Sequence, residues 1–152
     1  MAGDRAGLTL DEAGLAAVGA RLASALRAGD VVALSGELGA GKTTLARGIL
    51  AALGHSGEVP SPTFTLVQTY PDLQSPVAHV DLYRLEQAAE AEALGLDDWL
   101  ADGGVLLVEW PERLGAALWP ERLWLRLEGA GSPTRRLTWD VPAAWEGRWP
   151  PA

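Results

Sequence analysis

The sequence predicts a single-domain α/β fold, in which helices flank a β-sheet. The first observation is an apolar run, a glycine-rich loop and a helical pattern that follow one another from residue 31. The second is the run at residues 105–108, which is apolar throughout, as is typical of a central strand in a parallel sheet. The third is the length of 152 residues, which suits one domain with a substantial core.

Composition excludes several classes of protein. The chain has no cysteine, which excludes disulfides, thiol catalysis and cysteine-ligated metal. We expect a cytoplasmic protein without membrane contact, because the sequence lacks a signal-peptide pattern and any apolar run of membrane-spanning length. The net charge is −8, and no basic cluster exceeds the pair Arg135 and Arg136. We therefore expect no tight, direct binding of nucleic acid, which usually requires a basic patch.

The first predicted helix begins near residue 9. Thr9 and Glu12 have the spacing of a capping box, with Thr9 as the N-cap and Glu12 reaching back to it. Apolar residues then recur at helical spacing: Leu15, Val18, Leu22 and Leu26. Gly29 ends this pattern before the first predicted strand.

The apolar residues 31–35 predict that strand, and residues 36–43 match the pattern G-x-x-x-x-G-K-[ST]. The helix predicted after the loop places four apolar side chains on one face: Leu45, Ile49, Leu50 and Leu53. Gly54 lies where this helix should be capped. A strand, a glycine-rich loop and a helix in this order are the context that a phosphate-binding loop requires.

The residue types in the loop suit a phosphate. Gly36, Gly39 and Gly41 allow a tight turn and place no side chain between the backbone N–H groups and the anion. The helix that follows directs its positive dipole end toward the same anion. Lys42 is expected to reach the terminal phosphates, and Thr43 to offer its hydroxyl to Mg²⁺.

Lys42 is the only lysine in the chain. Arginine does not replace a compact ammonium among phosphates, so the lone lysine in this loop strengthens the prediction of nucleotide binding. The guanine-specific motif N-K-x-D would need a second lysine, and adenine is therefore the expected base. For the helix that begins near Thr9, packing on the sheet is the favoured role. The alternative is that its first turn lies beside the base.

The middle of the chain predicts an antiparallel hairpin. After a loop at residues 54–62, strands are predicted at residues 63–70 and 77–85, with a turn at residues 71–76 between them. A helix at residues 86–94, capped by Gly95, and a short helical turn at residues 97–100 are predicted next. The apolar strand at residues 105–108 follows.

The C-terminal part contains the pentapeptide WPERL twice, at residues 110–114 and 119–123, which we interpret as coincidence or as two similar turns. Two further strands are predicted at residues 123–127 and 136–141. The tail, residues 142–152, is rich in proline and tryptophan and is expected to be extended. Trp145 and Trp149 are expected to dock on the core, and a partner surface is the less favoured alternative.

A phosphate loop that uses Mg²⁺ requires an acidic residue at the end of a neighbouring strand. Glu109 directly follows the apolar strand, and Asp81 follows the strand-like residues 78–80. Either carboxylate can hold Mg²⁺, directly or through water, or orient an attacking water. His79 is interpreted as a packing or hydrogen-bonding histidine rather than as a catalyst.

Four stretches in this order, GELGAGKTTLARG, SPTFTL, HVDLYRL and LVEWPERL, resemble those of the TsaE family. TsaE proteins are small bacterial ATPases needed for threonylcarbamoyladenosine (t6A) modification of tRNA, and the resemblance covers about residues 9–136. It implies a P-loop NTPase-like α/β fold with a mixed central sheet. It also implies hydrolysis of ATP with Mg²⁺ and partnership with the TsaD and TsaB subunits, so that we expect weak activity alone, stimulation by these partners and only indirect contact with tRNA.

The resemblance implies roles for individual residues. The residues implied to hold the phosphates are Gly39, Ala40, Gly41, Lys42, Thr43 and Thr44. Thr43 and Glu109 are implied to ligate Mg²⁺, and Asp81 to lie at the nucleotide, so that Lys42, Asp81 and Glu109 form the expected catalytic set. Thr63, in the loop 61–63, resembles part of a switch near the γ-phosphate. Either Arg135 or Arg136 resembles a late arginine near the nucleotide.

Two alternatives to an ATPase stay open at this point. A small-molecule kinase would need an acceptor pocket and usually an arginine-bearing lid, and the sequence shows no inserted lid segment. A nucleotide-gated binding module with negligible hydrolysis has the same sequence features as a slow ATPase. A turnover assay with and without partners discriminates all three.

Overall fold

The computed structural model describes residues 7–37, 39–59, 66–86, 94–114 and 119–149. Within these ranges the chain forms a single seven-stranded mixed sheet with helices on both faces, which confirms the predicted α/β fold. The elements in chain order are β1 (Gly7–Leu10), α1 (Glu12–Ala25), β2 (Val31–Gly36), α2 (Lys42–Ala52), β3 (Val67–Tyr70), β4 (Val77–Asp81), α3 (Leu96–Ala101), β5 (Val105–Glu109), a 3-10 helix (Pro111–Leu114), β6 (Leu123–Glu128), β7 (Arg135–Asp140) and a second 3-10 helix (Ala143–Trp145).

The strand order in the sheet is β1-β7-β6-β2-β5-β4-β3. The four consecutive strands β6, β2, β5 and β4 run parallel to one another, whereas β7 and β3 flank them as antiparallel neighbours and β1 pairs antiparallel with β7. The apolar strand at residues 105–108 therefore occupies the interior parallel position that its composition predicts. The carboxyl ends of these four parallel strands meet at one edge of the sheet, where α/β folds bind their ligands.

Helices α1 and α2 pack on each other and cover one face of the sheet. Two glycines allow their backbones to approach closely. A Cβ on Gly19 would lie 2.8 Å from the carbonyl oxygen of Leu45, and one on Gly48 would lie 2.7 Å from that of Ala16. The predicted apolar faces of both helices are buried in this layer, including Leu22 and Ile49. The pairing places the first turn of α1 beside the loop that precedes α2.

The predicted start of the first helix is wrong. Thr9 lies in β1, where it pairs with Arg136, and Asp11 is the N-cap of α1. The Asp11 side chain accepts a hydrogen bond from the Gly14 amide at 2.7 Å. Pairing with β7, more than a hundred residues away in sequence, keeps Thr9 extended, and Asp11 supplies an equally good cap.

The hairpin is confirmed, with shorter strands than predicted. Its first strand is β3, and the predicted residues 63–65 lie outside the described residues. The second strand, predicted to reach Leu85, ends at Asp81 because the Asp81 side chain accepts a hydrogen bond from the Tyr83 amide at 2.9 Å and turns the chain. Most of the helix predicted at 86–94 also lies outside the described residues. Gly95, predicted as its cap, begins α3 with a φ of 70°.

The two WPERL copies form similar turns, which confirms the second of the two interpretations. Trp110 and Trp119 have positive φ values of 58° and 51°. In each copy the tryptophan carbonyl accepts a hydrogen bond at 3.1 Å from the amide three residues later, in Arg113 and Arg122. The first four residues of the two copies therefore form similar turns in two different places.

The tail differs from the extended segment that its composition predicts. Ala143–Trp145 form a 3-10 helix, because the side chain of Trp145 turns inward and is fully buried. Trp149 is buried as well and meets Trp139 edge to face, with ring centroids 5.3 Å apart. The predicted docking of Trp145 and Trp149 on the core is thus confirmed. None of the helices in the described part of the chain is long and apolar enough to cross a membrane.

Candidate functional site

A cleft of about 430 Å³ opens at the carboxyl ends of the parallel strands. It brings together eight residues that the sequence predicts for the site: Gly39, Gly41, Lys42, Thr43, Thr44, Asp81, Glu109 and Arg135. Five further residues line it: Glu12, Leu15, Trp110, Ser132 and Pro133. The predicted residue Thr63 and the loop 61–63 lie outside the described residues, as does Leu38.

Glycines give the loop between β2 and α2 its shape. Gly36 has a φ of 146°, and a Cβ there would lie 2.5 Å from the carbonyl oxygen of Leu127 in β6. Gly41 is the N-cap of α2 and has a φ of 103°. As a glycine, it has no side chain that could accept a hydrogen bond from the first amides of the helix. The first amides of a helix have no intrahelical acceptor, so this N-terminus has backbone donors available for an anion. Gly36 and the fully buried Ala40 shape the loop from beneath and are absent from the cleft lining given above.

Lys42 lies at the base of the cleft and is only 5% exposed. Its ammonium donates a hydrogen bond to the backbone carbonyl of Gly36 and lies 3.4 Å from that of Glu37. The same nitrogen lies 4.0 Å from the ring centroid of Trp110, which is cation–π distance. Two carbonyl oxygens of its own loop and an indole face thus hold the charge in place.

The protonation of Lys42 depends on what else is in the cleft. Burial lowers the pKa of Lys42, and the carboxylates of Glu109, Asp81 and Glu112 partly oppose this effect. Glu109 has the largest of these opposing influences. An anion placed in the cleft would favour the charged ammonium in the same way, so binding of a phosphate and retention of the lysine proton are mutually favourable.

Asp81 and Glu109 lie side by side at the ends of β4 and β5, where they are register partners. Each is only 3% exposed, and both line the cleft. Their positions agree with the prediction that strand ends bring acidic residues to the phosphate loop. The Oε2 atom of Glu109 lies 2.6 Å from Nε2 of His79, so His79 makes the hydrogen bond that its sequence context predicts.

The oxygen donors of the cleft suit Mg²⁺ better than a metal whose ligands all come from protein side chains. Within the described ranges, no group of three or more His, Cys, Asp or Glu side chains is arranged to hold a metal ion. Mg²⁺ is usually bound by one or two carboxylates together with water and substrate phosphates. Glu109 and the hydroxyl of Thr43 face one cleft and supply such a partial set of oxygen ligands.

The structure distinguishes the two candidate arginines. Arg135 lines the cleft, and its guanidinium donates to the carbonyl of Gly39 at 3.3 Å and to that of Ser132. Arg136 is exposed and pairs with Thr9 across the β1–β7 ladder. Neighbouring residues of a strand point to opposite faces, which is why only Arg135 lies against the phosphate loop.

Sequence reasoning missed five cleft residues as site candidates. Glu12 and Leu15 reach the cleft because α1 packs along α2; whether this first turn lies beside a base stays a prediction. Ser132 and Pro133 belong to the turn between β6 and β7, which pattern alone marks only as a turn. The signal for Trp110 was its place directly after Glu109 at the end of the most apolar strand.

Known proteins resemble this chain along most of its length. Residues 9–137 match the family model described as "Threonylcarbamoyl adenosine biosynthesis protein TsaE". A protein of Streptomyces coelicolor, named tRNA threonylcarbamoyladenosine biosynthesis protein TsaE, is 50% identical over 120 residues, which cover 77% of this chain and 80% of that protein. Its namesake in Bacillus subtilis is 44% identical over 110 residues, covering 72% and 68%.

Among solved structures, the crystal structure of YdiB from Bacillus subtilis superposes with a TM-score of 0.77 at 32% identity. The superposition covers 95% of this chain and 92% of YdiB.

Proposed function

The chain belongs to the TsaE family and acts in tRNA threonylcarbamoyladenosine biosynthesis, and on this premise we propose that it is a Mg²⁺-dependent ATPase. The observation that carries the proposal is the position of Lys42, a buried ammonium beside a helix N-terminus with two buried carboxylates in the same cleft. Positive groups for phosphates and acidic groups for a cation are thus present side by side, as phosphoryl chemistry requires.

In this proposal the phosphates of ATP lie against the backbone amides from Gly39 to Thr44. Lys42 then exchanges its contacts with the loop carbonyls for contacts with phosphate oxygens. Leu15 and Pro133 provide apolar surface for an adenine ring, and Arg135 supplies a second cation near the loop.

The Thr43 hydroxyl and Glu109 would hold Mg²⁺, which when bound neutralises charge on the β- and γ-phosphates. Asp81 lies next to Glu109 in the register and would orient the water that attacks the γ-phosphorus. The bond between that phosphorus and the bridging oxygen breaks, ADP leaves, and the proton of the water ends on phosphate. The residues act by positioning and by charge, because phosphoryl transfer needs little covalent chemistry from the protein.

Thr63 and the loop 61–63 complete the proposal as a segment that responds to the γ-phosphate. Such a loop changes its contacts between the ATP and ADP states, and only contacts that differ between two states can shift the equilibrium of a partner. Hydrogen exchange over residues 55–65 should therefore differ between ADP and a non-hydrolysable ATP analogue.

We also propose that the hydrolysis acts on a complex of TsaD and TsaB in the cytoplasm, and that tRNA is engaged only through that complex. The net charge of −8 supports indirect contact, because a chain with this charge does not attract the phosphates of RNA. Among the described residues, the cleft is lined by a phosphate loop and carboxylates, a set that suits phosphoryl chemistry rather than transfer of a threonylcarbamoyl group.

Reconstitution tests this function. ATP hydrolysis and tRNA modification are measured with TsaD, TsaB and tRNA, in the presence of wild type, of Lys42→Ala or of no added chain. We expect slow hydrolysis by the chain alone, stimulation by the partners, and repeated rounds of modification only with wild type. Full-rate modification without this chain would refute the role in the complex. Phosphate transfer to a small acceptor would indicate a kinase, and nucleotide binding without turnover in the full mixture would indicate a binding module.

A further inference from the structure

We propose that His79 is a positioning residue that holds the Glu109 carboxylate in its metal-binding orientation and away from Lys42. The proposal deepens the function described above and rests on it. Nothing in the ATPase chemistry requires a histidine, yet a fully buried one lies one strand step from the carboxylate pair. Its role is therefore to be found in the residue that it contacts.

The sheet geometry directs this contact. His79 and Asp81 are two residues apart in β4, so their side chains point to the same face. Asp81 is the register partner of Glu109, and His79 is that of Leu107. The ring thus lies one step deeper in the sheet than the carboxylate pair and reaches Glu109 from the core side, with Nε2 2.6 Å from Oε2.

The direction of the hydrogen bond follows from chemistry. An ionised carboxylate can only accept, so Nε2 of His79 carries the hydrogen and donates to Oε2 of Glu109. The other ring nitrogen, Nδ1, is buried without a hydrogen-bond partner in the described part of the chain. A buried polar atom without a partner is unfavourable, so the ring is poorly explained as core packing and well explained by its contact with Glu109.

The hydrogen bond gives the two carboxylate oxygens of Glu109 different roles. Oε2 is engaged by His79 from below, which leaves Oε1 for the cleft that Glu109 lines. Histidine and carboxylate partners behind a metal ligand commonly orient it in this manner.

Lys42 makes this restraint necessary. Glu109 is the carboxylate with the strongest electrostatic influence on the Lys42 ammonium, and both side chains are buried at the same cleft. A carboxylate free to rotate would be drawn toward that ammonium. A Lys42–Glu109 ion pair would occupy the phosphate cation and the metal ligand at once. His79 prevents this closure by holding Oε2 on the core side.

A matched pair of variants tests the proposal. Gln has a donor near the position of Nε2, whereas Met has similar length and no donor, so His79→Gln should retain the function that His79→Met loses. The first readout is the affinity of the ADP complex for Mn²⁺, which is measured from the electron paramagnetic resonance signal of free Mn²⁺. We expect Mn²⁺ affinity to fall about 10-fold or more in His79→Met and about 3-fold or less in His79→Gln. ADP affinity in EDTA should stay unchanged in His79→Gln and should fall in His79→Met, where the Lys42–Glu109 ion pair occupies the phosphate cation, so Mn²⁺ binding is measured at saturating ADP.

The second readout uses the fact that Lys42 is the only lysine. Labelling with ¹³C-lysine gives one side-chain signal set, recorded without metal or nucleotide. His79→Met should shift the Lys42 Cε signal as Glu109 approaches, and Glu109→Gln combined with His79→Met should remove that shift. If His79→Met melts below the assay temperature, His79→Leu replaces it as the variant without a donor.

Three outcomes would overturn the proposal while leaving the ATPase intact. These are equal Mn²⁺ affinity in wild type and His79→Met, equal loss in the Gln and Met variants, or a further loss of Mn²⁺ affinity when His79→Met is added to Glu109→Gln. Failure of wild type to bind Mn²⁺ with ADP is a different result, which would refute the proposed function itself.

Discussion

Lys42 and Arg148 are both basic side chains held largely inside the fold, but their surroundings differ. Arg148, in the tail, pairs with both carboxylate oxygens of Asp30 and donates to the carbonyl of Ala25 at 2.7 Å. Its guanidinium also stacks over the ring of Trp145, 4.0 Å from the centroid. The charge is matched by an opposite charge from the same chain, and the guanidinium ties the tail to the junction of α1 and β2.

Lys42 has a weaker set of partners. Its ammonium contacts carbonyl oxygens of its own loop and an indole ring, and burial lowers its pKa. This arrangement suits the anion binding proposed above. A buried charge that is paired with an opposite charge of the same chain, as at Arg148, is expected to contribute to stability, whereas the position of Lys42 at the cleft suits the binding proposed above. Substitutions at the two places should therefore affect different observables.

The largest expected effect is that of Lys42→Ala on turnover. Removing the cation nearest the phosphates should lower kcat/KM for ATP about 10³-fold, because transition-state charge loses a preorganised partner. The melting temperature should not fall, since a partly desolvated charge is removed with the side chain. Phosphate release and thermal unfolding of the same preparation measure both quantities. Near-normal turnover would contradict the role of Lys42 in binding phosphates.

Asp30→Ala should show the reverse pattern. It leaves the Arg148 guanidinium buried beside Trp145 without its carboxylate, which should lower the free energy of unfolding by about 3 kcal/mol. ADP affinity should stay within about 2-fold of wild type, since neither residue lines the cleft. Asp140→Asn is the more exposed control, because its ion pair with Arg126 joins two partly exposed side chains and should contribute less than about 1 kcal/mol.

Arg135→Ala should have a smaller effect, and the adjacent Arg136→Ala is its matched control. Arg135 donates to the carbonyl of Gly39 and lines the cleft, so its loss should weaken ATP binding about 10-fold. Arg136 is exposed on the opposite side of β7, and its replacement should leave ATP affinity unchanged. Calorimetric titration of a non-hydrolysable analogue distinguishes them, and equal losses would mean that the effect is one of general charge.

The smallest expected effect is a pH dependence of stability. Burial lowers the pKa of Lys42 below the ordinary 10.5, so the unfolded chain binds this proton more tightly than the folded chain. The resulting destabilisation is fully present below the lowered pKa and fades as pH rises toward 10.5. Wild type should therefore gain stability relative to Lys42→Ala as pH rises over this range. Urea unfolding between pH 7 and 10 measures it, and a difference that moves the other way would show that the lysine is stabilised when charged.

Strong local patterns made the core of the site predictable from sequence. The loop motif placed Lys42 and Thr43, and the rule that acidic residues follow parallel strands identified Asp81 and Glu109. The same patterns fail at Thr9, because the spacing predicts a helix cap whereas pairing with distant β7 holds this residue in a strand. Local pattern carries no information about a partner so far along the chain.

The remaining cleft residues depend on tertiary packing. Glu12 reaches the cleft through the contact of α1 with α2, and Ser132 through the β6–β7 turn. The two WPERL copies show most clearly that local sequence does not determine which residues reach the cleft. Both form the same turn, but only Trp110 meets Lys42, because only the first copy follows a strand that ends at the phosphate loop. The local sequence therefore determines the turn, and the position of the preceding strand in the sheet determines whether its tryptophan reaches Lys42.

Glu109→Gln provides the most direct measurement of the central claim, that the cleft hydrolyses ATP through a Mg²⁺ site built on this carboxylate. The amide keeps the shape of the side chain and loses the negative charge that a hard cation prefers. Phosphate release is followed against Mg²⁺ concentration in wild type and variant, with ADP affinity measured in EDTA. The account predicts turnover in wild type that rises with Mg²⁺, and a loss of at least about 100-fold in Glu109→Gln with ADP binding and melting temperature preserved. Unchanged Mg²⁺-dependent turnover in the variant would contradict it and would assign the metal to Asp81.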